Sequence, residues 1–575
     1  MVLRKIRNLK ECLDNSSIYD AYYNKSIDES LIYFESRNGR DFTGNIFRII
    51  EEISTGRYGD YKIHVYATSA VKTKIREYEK NYDLKIDKII TGRKEAAISL
   101  ERARYVFTDS GIQTKYIKRD GQVFVNTWHG TPLKLMGCDN PSEITSLGHI
   151  QHSLLSADYL IYPNEYMAEK MTNAYMIERI YPGKLLFEGY PRNSVFFTSN
   201  EEVKSRLSLE DKEIFVYMPT FRGILSDMDD VGQKNDVEKY LSQIDAKLED
   251  NQILFAKLHA YNESQIDFSK FSHVKAFPKG FEIYDIVNLA DVLITDYSSV
   301  FFDFANTSRK IVIFNYDEED YLSYRGFYFP LEELPFPKVQ NTDDLIRELN
   351  SPKDYDDSAF IQNFCTFDNP NAVANICQHV LKKENVSKEV SIANGKPNVL
   401  IYAGPLEDTD ELVRLLESAD TDNYNFFLTF NPWDENIKEN YADIFIGLPE
   451  DIEFLPFKSN LISTFTEKLD YDKYFKSADM SMPDSLKDLF ARSFEKQYGA
   501  VNFEFVLDFY GLNPDVSLIF ANSAQNSVLW LHEDTEGKIN PNVMKQIYEG
   551  FDLIVADCDE LAEKIPVGDV KVHRI

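Results

Sequence analysis

The chain has 575 residues, a net charge of −31 and 43% hydrophobic residues, enough for several cores and, by length alone, about three or four domains. Its five cysteines, Cys12, Cys138, Cys365, Cys377 and Cys558, are scattered without a CxxC pair, which argues against a zinc site or disulfide framework and for a reducing compartment. No signal peptide opens the chain and no apolar run reaches the length of a membrane span, so membrane contact is expected to be peripheral.

The charge is uneven. Residues 396–575 carry 34 acidic against 15 basic residues, which is −19 of the total. That part is a separate electrostatic object and a poor match to nucleic acid or anionic lipid. Basic residues cluster at Lys72–Arg93 and Lys115–Arg119, either as solvated faces or as faces toward an anionic membrane or a polyphosphate acceptor.

Residues 1–28 form a polar lead-in. Glu29–Ser36 reads as a buried strand, Arg37–Gly44 as a turn, and Asn45–Ile53 as a helix with Ile46, Ile49, Ile50 and Ile53 at helical spacing. Tyr61–Ala67 alternates as a strand, Val71–Tyr82 is a charged helix, and Lys85–Ile90 a short strand. Lys94–Arg104 is a helix and Tyr105–Thr108 a strand. Val123–Val125 then runs into Asn126-Thr127-Trp128-His129-Gly130-Thr131-Pro132, after which Leu133–Met136 begins a helix or an ordered loop. Ser142–Leu155 is a helix with Ser142 as N-cap. Its His149 and His152 lack a third ligand at metal spacing and are read as structural or pocket-lining. Asp158–Tyr162 is a strand, Glu165–Ala174 a helix, and Leu185–Tyr190 a strand ending in Gly189-Tyr190-Pro191-Arg192-Asn193.

The alternation then restarts. Strands are read at Glu213–Met218, Gln252–Leu258, His273–Ala276, Asp291–Thr295 and Lys310–Asn315. Helices are read at Val237–Leu248, Ile283–Ala290 and Val300–Ala305, with Thr342–Leu349 and Ala372–Lys383 closing the unit. After a polar linker come strands at Asn398–Tyr402, Asn425–Thr429, Ser517–Ala521, Ser527–His532 and Asp552–Ala556, with a helix at Asp408–Ser418. Strand–helix alternation of this kind means parallel sheets covered by helices. The divisions are a lead-in (1–28), two α/β units (29–188 and 189–381), a linker (382–395) and a third, acidic α/β unit (396–575).

Three segments put polar groups at a strand's carboxyl end, where α/β enzymes place their chemistry. They are Trp128-His129-Gly130-Thr131, Lys257-Leu258-His259 and Thr295-Asp296-Tyr297-Ser298-Ser299. The third, at the mouth of a helix, suits a phosphate group; its bland reading is a simple N-cap.

The ordered set NTWHGTPLK, GYPRN, MPTFRG, KLHAY, ITDYSSVFFDFA and FNYDEEDYLSYRGFY resembles the CDP-glycerol glycerophosphotransferase family, the teichoic acid primases and polymerases of Gram-positive bacteria and related capsule polymerases. The resemblance covers roughly residues 28–380. It implies a GT-B architecture of two Rossmann-like domains facing across a cleft. It also implies metal-independent transfer of a polyol phosphate from CDP-glycerol or CDP-ribitol to a hydroxyl of a lipid-linked acceptor at the inner face of the cell membrane, with no cofactor.

On that resemblance His129 is the expected general base, since a neutral imidazole titrates near working pH. His259, beside Lys257, is expected on the diphosphate leaving side. Thr220, Arg222, Lys257, Thr295, Ser298, Ser299 and Arg325 are expected to hold the donor, and an arginine can grip two phosphate oxygens at once. Asp296 and Asp303 hold ribose or polyol hydroxyls, or cap and brace the helix. Trp128, Gly130, Thr131 and Lys134 belong to the acceptor side. No acidic cluster with Mg²⁺ geometry is read. One departure is Lys310, where the family pattern has proline.

The third unit, through NVLIYAGP and VLWLHED, resembles more faintly the amino-terminal half of retaining GT-B glycosyltransferases, with His532 lining a sugar cleft. It is expected to be an accessory or truncated module, because half a cleft cannot hold a donor. Shared fold alone also permits a sugar-nucleotide glycosyltransferase or epimerase, or a non-catalytic lectin-like protein; the pair His129 and His259 speaks against the last.

Overall fold

The computed structural model describes residues 17–220, 231–258, 266–318, 321, 326–406, 410–458, 461, 463–477, 481–511, 513–523, 525–532, 541–565 and 571–574. The alternating apolar segments pair into three parallel sheets. The first contains β1 (Asp28–Glu35), β2 (Lys62–Tyr66), β3 (Lys88–Ile90), β4 (Ala103–Thr108), β5 (Val123–Asn126), β6 (Tyr159–Tyr162) and β7 (Lys184–Phe187). The second contains β8 (Glu213–Met218), β9 (Gln252–Ala256), β10 (Val274–Ala276), β11 (Val292–Thr295), β12 (Lys310–Phe314) and β13 (Lys338–Val339). A further strand, β14 (Lys388–Val390), lies within the stretch read as a linker and pairs antiparallel with β7. The third sheet contains β15 (Asn398–Tyr402), β16 (Asn425–Thr429), β17 (Ile452–Phe454), β18 (Phe505–Asp508), β19 (Asn526–Leu531), β20 (Leu553–Ala556) and β21 (Lys571–Arg574).

Strand order is β14-β7-β6-β5-β4-β1-β2-β3 in the first sheet, β10-β9-β8-β11-β12-β13 in the second and β17-β16-β15-β18-β19-β20-β21 in the third. In each, the order reverses beside the unit's first strand, which opens a crevice at the carboxyl ends of the strands. The central strands are apolar almost throughout because helices cover both faces; β12, for one, is buried along its whole length.

The first two units are locked together. Helix Gly44–Ser54 shows the isoleucine face expected of it, yet its polar face is buried as well, at Asn45, Arg48 and Glu52. The second unit supplies the partners: Arg48 pairs with Asp285 at 2.6 Å and Glu282 at 3.4 Å, and Glu282 accepts bonds from Thr43 and from the Gly44 amide. Helix Ala372–Lys382, read as closing the second unit, packs Ile376, Cys377, Val380 and Leu381 into the core of the first.

The third unit is fused to the first. One continuous cluster of buried apolar residues runs from Leu31 and Phe124 to Leu400 and Val506. Asp20, on helix Ser17–Tyr22, pairs with Lys496 at 2.8 Å and Arg492 at 3.1 Å. His149 and His152 are structural: their Nε2 atoms bond the Ile112 carbonyl at 2.6 Å and the Pro456 carbonyl at 3.2 Å. Gly148 lies against the Pro456 and Phe457 carbonyls, where a Cβ would sit 2.5 and 2.7 Å away.

Some local expectations are corrected. Ser517–Ala521 belongs to a helix, Pro514–Ala521, because Asn513 caps the Val516 amide and proline occupies the first turn. Ser142 is not an N-cap; Asn140 accepts its amide and starts a short 3-10 turn ahead of helix Ile144–Leu155. Leu133–Leu135 is the ordered loop of the two alternatives, held by pairing with Gly326 and Tyr328 of the second unit. Lys310 uses its side chain where proline was expected, ion-pairing with Glu348 at 2.6 Å. The four described cysteines are free.

Candidate active site

The carboxyl end of β5 is built to aim one histidine. Asn126 bonds the Ser110 carbonyl and receives the Trp128 amide at 2.8 Å. Asn45 reaches in from its helix to the Thr127 hydroxyl and the Trp128 carbonyl, both at 3.2 Å. The turn is strained, with Trp128 at φ +51° and Gly130 at φ +154°; for a bulky residue the left-handed region costs energy, and such outliers gather at functional sites.

His129 stacks on Trp128, with ring centres 4.5 Å apart. Its Nδ1 bonds the Asp109 carbonyl at 2.7 Å. A carbonyl can only accept, so Nδ1 carries the proton and Nε2 presents a lone pair. Burial, then the positive charge of Arg37, pushes the imidazole pKa down to about 3, Arg192 adding to it against the Asp109 bond. Both effects favour the neutral ring in the free protein. Anionic phosphate beside it would offset Arg37 and Arg192 and make it a stronger base.

Arg192 joins this wall to the second unit. One guanidinium nitrogen donates to the His129 carbonyl at 3.0 Å and the other to Asp303 at 2.8 Å. Asp303 also accepts from Tyr284 at 2.8 Å and Asn193 at 3.2 Å. Of the two roles expected of Asp303, its surroundings match the bracing one; it is 2% exposed and its carboxylate is engaged by protein groups. Arg192, Asn45 and Asp109 were missed as functional side chains, although Arg192 stands inside the GYPRN motif. Their partners are remote in sequence, and no local spacing reveals them.

Opposite lie the carboxyl ends of β8, β9 and β11. Asp296 is fully buried and accepts the Thr220 amide at 2.8 and 3.0 Å. Thr295 is fully buried and donates to the Met218 carbonyl at 2.7 Å. Thr295 is thereby corrected from a donor contact to a brace, and Asp296 takes the bracing role that was one of its two expected ones; together they fix the loop after β8 against that after β11. Thr220 is half-buried on the loop so fixed, and Lys257, also half-buried, follows β9.

Ser298 and Ser299 are half-buried, and Ser299 spends no hydroxyl on capping the five-residue helix Val300–Phe304. The helix is short, so the hydroxyls and loop amides, more than any helix end, are the groups that could receive an anion here. Ser299 faces Gly130 so closely that a Cβ on the glycine would stand 2.6 Å from its Oγ. His129 and the serines are thereby on facing walls of one seam. Arg222, His259 and Arg325 lie outside the described residues.

Of the acceptor-side set, Trp128 and Thr131 are buried supports: Trp128 carries the His129 ring, and Thr131 accepts from Asn164 at 3.2 Å. Gly130 gives the close approach. Lys134 is half-buried, its Nζ 5.2 Å from the Tyr321 ring centre.

Among the described residues, the one group able to hold a metal is Glu411, His532 and Asp557 in the third unit. His532 there bonds Asp557 at 3.0 Å and the Phe509 carbonyl at 2.6 Å.

Comparison with known proteins gives a consistent result. The family model for CDP-Glycerol:Poly(glycerophosphate) glycerophosphotransferase matches residues 17–382. The chain is similar to the teichoic acid poly(glycerol phosphate) polymerase of Bacillus subtilis (strain 168), 29% identical over 66% of this chain and 52% of that protein. It is similar to the teichoic acid glycerol-phosphate transferase of Staphylococcus aureus, 28% identical over 66% of this chain and all of the relative. It is also similar to the teichoic acid poly(ribitol-phosphate) polymerase of Bacillus spizizenii, 24% identical over 61% of this chain and 55% of the relative. It thus spans about half of each polymerase. Among solved structures, the wall teichoic acid polymerase TagF superposes with a TM-score of 0.54 at 23% identity, over 66% of this chain and 96% of that one, which supports the shared fold.

Proposed function

The chain belongs to the CDP-Glycerol:Poly(glycerophosphate) glycerophosphotransferase family, and from that membership we propose that it transfers glycerol phosphate or ribitol phosphate from a CDP-polyol to a hydroxyl of a lipid-linked acceptor, releasing CMP. The first two units form a GT-B-type cleft, with acceptor on the His129 side and donor on the Ser298–Ser299 side. The carrying observation is the fixed tautomer of His129, whose Nε2 lone pair is made available by the Nδ1–H bond to Asp109.

In the reaction Nε2 takes the proton of the acceptor hydroxyl while that oxygen bonds to the β-phosphorus. The bond from that phosphorus to the bridging oxygen breaks, and the electron pair leaves with CMP. Phosphoryl transfer of this kind depends on positioning and charge stabilisation. Ser298, Ser299, Lys257, Arg222 and Arg325 hold the diphosphate, and His259 serves the leaving side. The reaction needs no cofactor in this reading. The protein works at the cytoplasmic face of the membrane as a peripheral protein; no helix among the described residues is long and apolar enough to cross one. The third unit is an accessory module.

The test is a donor panel: CDP-glycerol, CDP-ribitol and UDP-sugars, each with a teichoic-type acceptor, read by nucleotide release. CMP from one or both CDP-polyols is expected. UDP alone would overturn the reading in favour of a glycosyltransferase.

A further inference from the structure

A cavity of about 230 Å³ lies where the third unit meets the first. Its walls are the segments leading into β5, β6 and β7 on one side, and Lys458 with the end of helix Asp484–Tyr498 on the other. His129 follows the opposite end of β5, so this cavity is separate from the candidate active site.

Lys458 is the unusual group in it. The residue is buried, and its backbone amide is fixed by the Gln497 side chain at 3.0 Å. Its ammonium has three donors but makes one long hydrogen bond, to the Tyr116 carbonyl at 3.4 Å. Among the described residues no carboxylate stands within ion-pair distance of it. A buried charge without a counter-charge is costly, and burial, then the charge of Lys496, lowers this ammonium to about 7.

The neighbouring charges leave that need unmet. Lys118 pairs with Asp158 at 2.6 Å and Lys496 with Asp20 at 2.8 Å. Arg119 has Glu101 at 3.6 Å, a carboxyl that burial raises to about 8 and that cancels little charge near neutrality. Glu495 is exposed and accepts the Tyr23 hydroxyl at 2.6 Å, and Asp120 is exposed. His149 and His152, on helix Ile144–Leu155, are both shifted toward the neutral form, first by burial and also by the charge of Lys458. Part of the basic cluster Lys115–Arg119 thus lines an internal cavity between units.

We propose that this cavity binds a phosphate dianion, free or carried by a small phosphomonoester, with Lys458 as its central contact, and that the ligand fastens the third unit to the first. An anion supplies the counter-charge that Lys458 lacks. Phosphate offers several acceptor oxygens, which suits ammonium donors arriving from both units, Lys118 from the first and Lys458 and Lys496 from the third. The volume lies below the usual range of small-molecule pockets, about 300–1,000 Å³, and so matches a phosphate or a small ester better than a nucleotide. The proposal does not rest on the transferase reading.

The test titrates the full chain calorimetrically with inorganic phosphate and with glycerol 3-phosphate, at ionic strength held constant with sodium chloride. Saturable binding is expected for the wild type, with Kd weakened about tenfold or more in Lys458→Met and about threefold or more in Lys118→Gln. The double variant Ser298→Ala, Ser299→Ala should bind as the wild type does, which separates this site from the donor wall. Phosphate should raise the denaturation midpoint of the wild type and leave that of Lys458→Met unmoved. A further readout needs no variant to fold: a bound anion returns Lys458 to its charged form, so binding at pH 8 should take up about one proton, seen as a heat that depends on the buffer's ionisation enthalpy. Tighter binding of glycerol 3-phosphate assigns the site to an ester, and tighter binding of inorganic phosphate to the free ion. Absence of saturable binding, a Kd unchanged in Lys458→Met, acetate binding as tightly as phosphate, or wild-type binding without proton uptake overturns the proposal.

Discussion

At the scale of single residues, the site turns on how His129 is held. The Asp109 carbonyl sets its tautomer, Trp128 supports its face, and Arg192 ties its backbone to Asp303. His129→Ala should abolish CMP release, by about a hundredfold or more for a lost general base, with thermal stability near wild type; near-normal turnover would show that another group takes the proton. Arg192→Ala leaves Asp303 buried without its cation, a loss on the order of 3–5 kcal/mol, visible as a lowered denaturation midpoint. Arg192→Lys keeps a charge but cannot reach the His129 carbonyl and Asp303 as a fork, so it should lose turnover more than stability. A variant as stable and active as wild type would remove Arg192 from the scheme. At this scale the strand ends that place His129, Ser298 and Ser299 were legible, because strand ends rich in His and Ser are visible in one dimension. The sequence was misleading for Thr295 and left two roles open for Asp296 and Asp303: a residue type that binds substrate hydroxyls binds backbone amides and arginines equally well, and burial decides which.

At the scale of elements, the decisive feature is the contact of two loops from different sheets. Gly130 at φ +154° abuts Ser299, so the turn after β5 and the loop after β11 approach as closely as the absence of a Cβ allows. Gly130→Ala should force these walls apart and lower kcat/KM by about tenfold or more, because small misplacements of reacting groups are costly. Its denaturation midpoint should fall far less than that of Arg192→Ala. If kcat/KM survives, the seam is not where donor and acceptor meet. Most strands were legible from apolar runs, since parallel strands covered on both faces are continuous in sequence. The pairing of Leu133–Leu135 with Gly326 and Tyr328 was not, because the partners are remote and neither alternates. β17 and β21 are short edge strands of three and four residues, too brief for a periodic signal.

At the scale of the whole molecule, the third unit shares a core with the first, a fusion that the mostly polar stretch 382–395 concealed. The interface includes Lys458, 8% exposed, whose ammonium pKa is lowered from 10.5 to about 7, first by burial and then by the charge of Lys496. Above pH 7 the unfolded chain keeps this proton and the folded chain does not. Stability from this group therefore grows as pH rises toward 10.5 and is lost as pH falls through that window. Lys458→Met should flatten the rise of the denaturation midpoint between about pH 8 and 10; an unaltered slope would mean that the amine finds solvent. A separate consequence concerns biosynthesis. The first sheet is completed on one edge by β14, and its core by helix Ala372–Lys382, both encoded after the last core residue of the second unit. During vectorial synthesis the first unit emerges early yet waits unfinished while some 200 residues follow, a delay on the order of 10–40 s at ordinary ribosomal elongation rates. The second unit, whose clusters draw almost wholly on residues 195–365, has its core complete first. The order in which the walls of the cleft mature is thus the reverse of the order in which they are written.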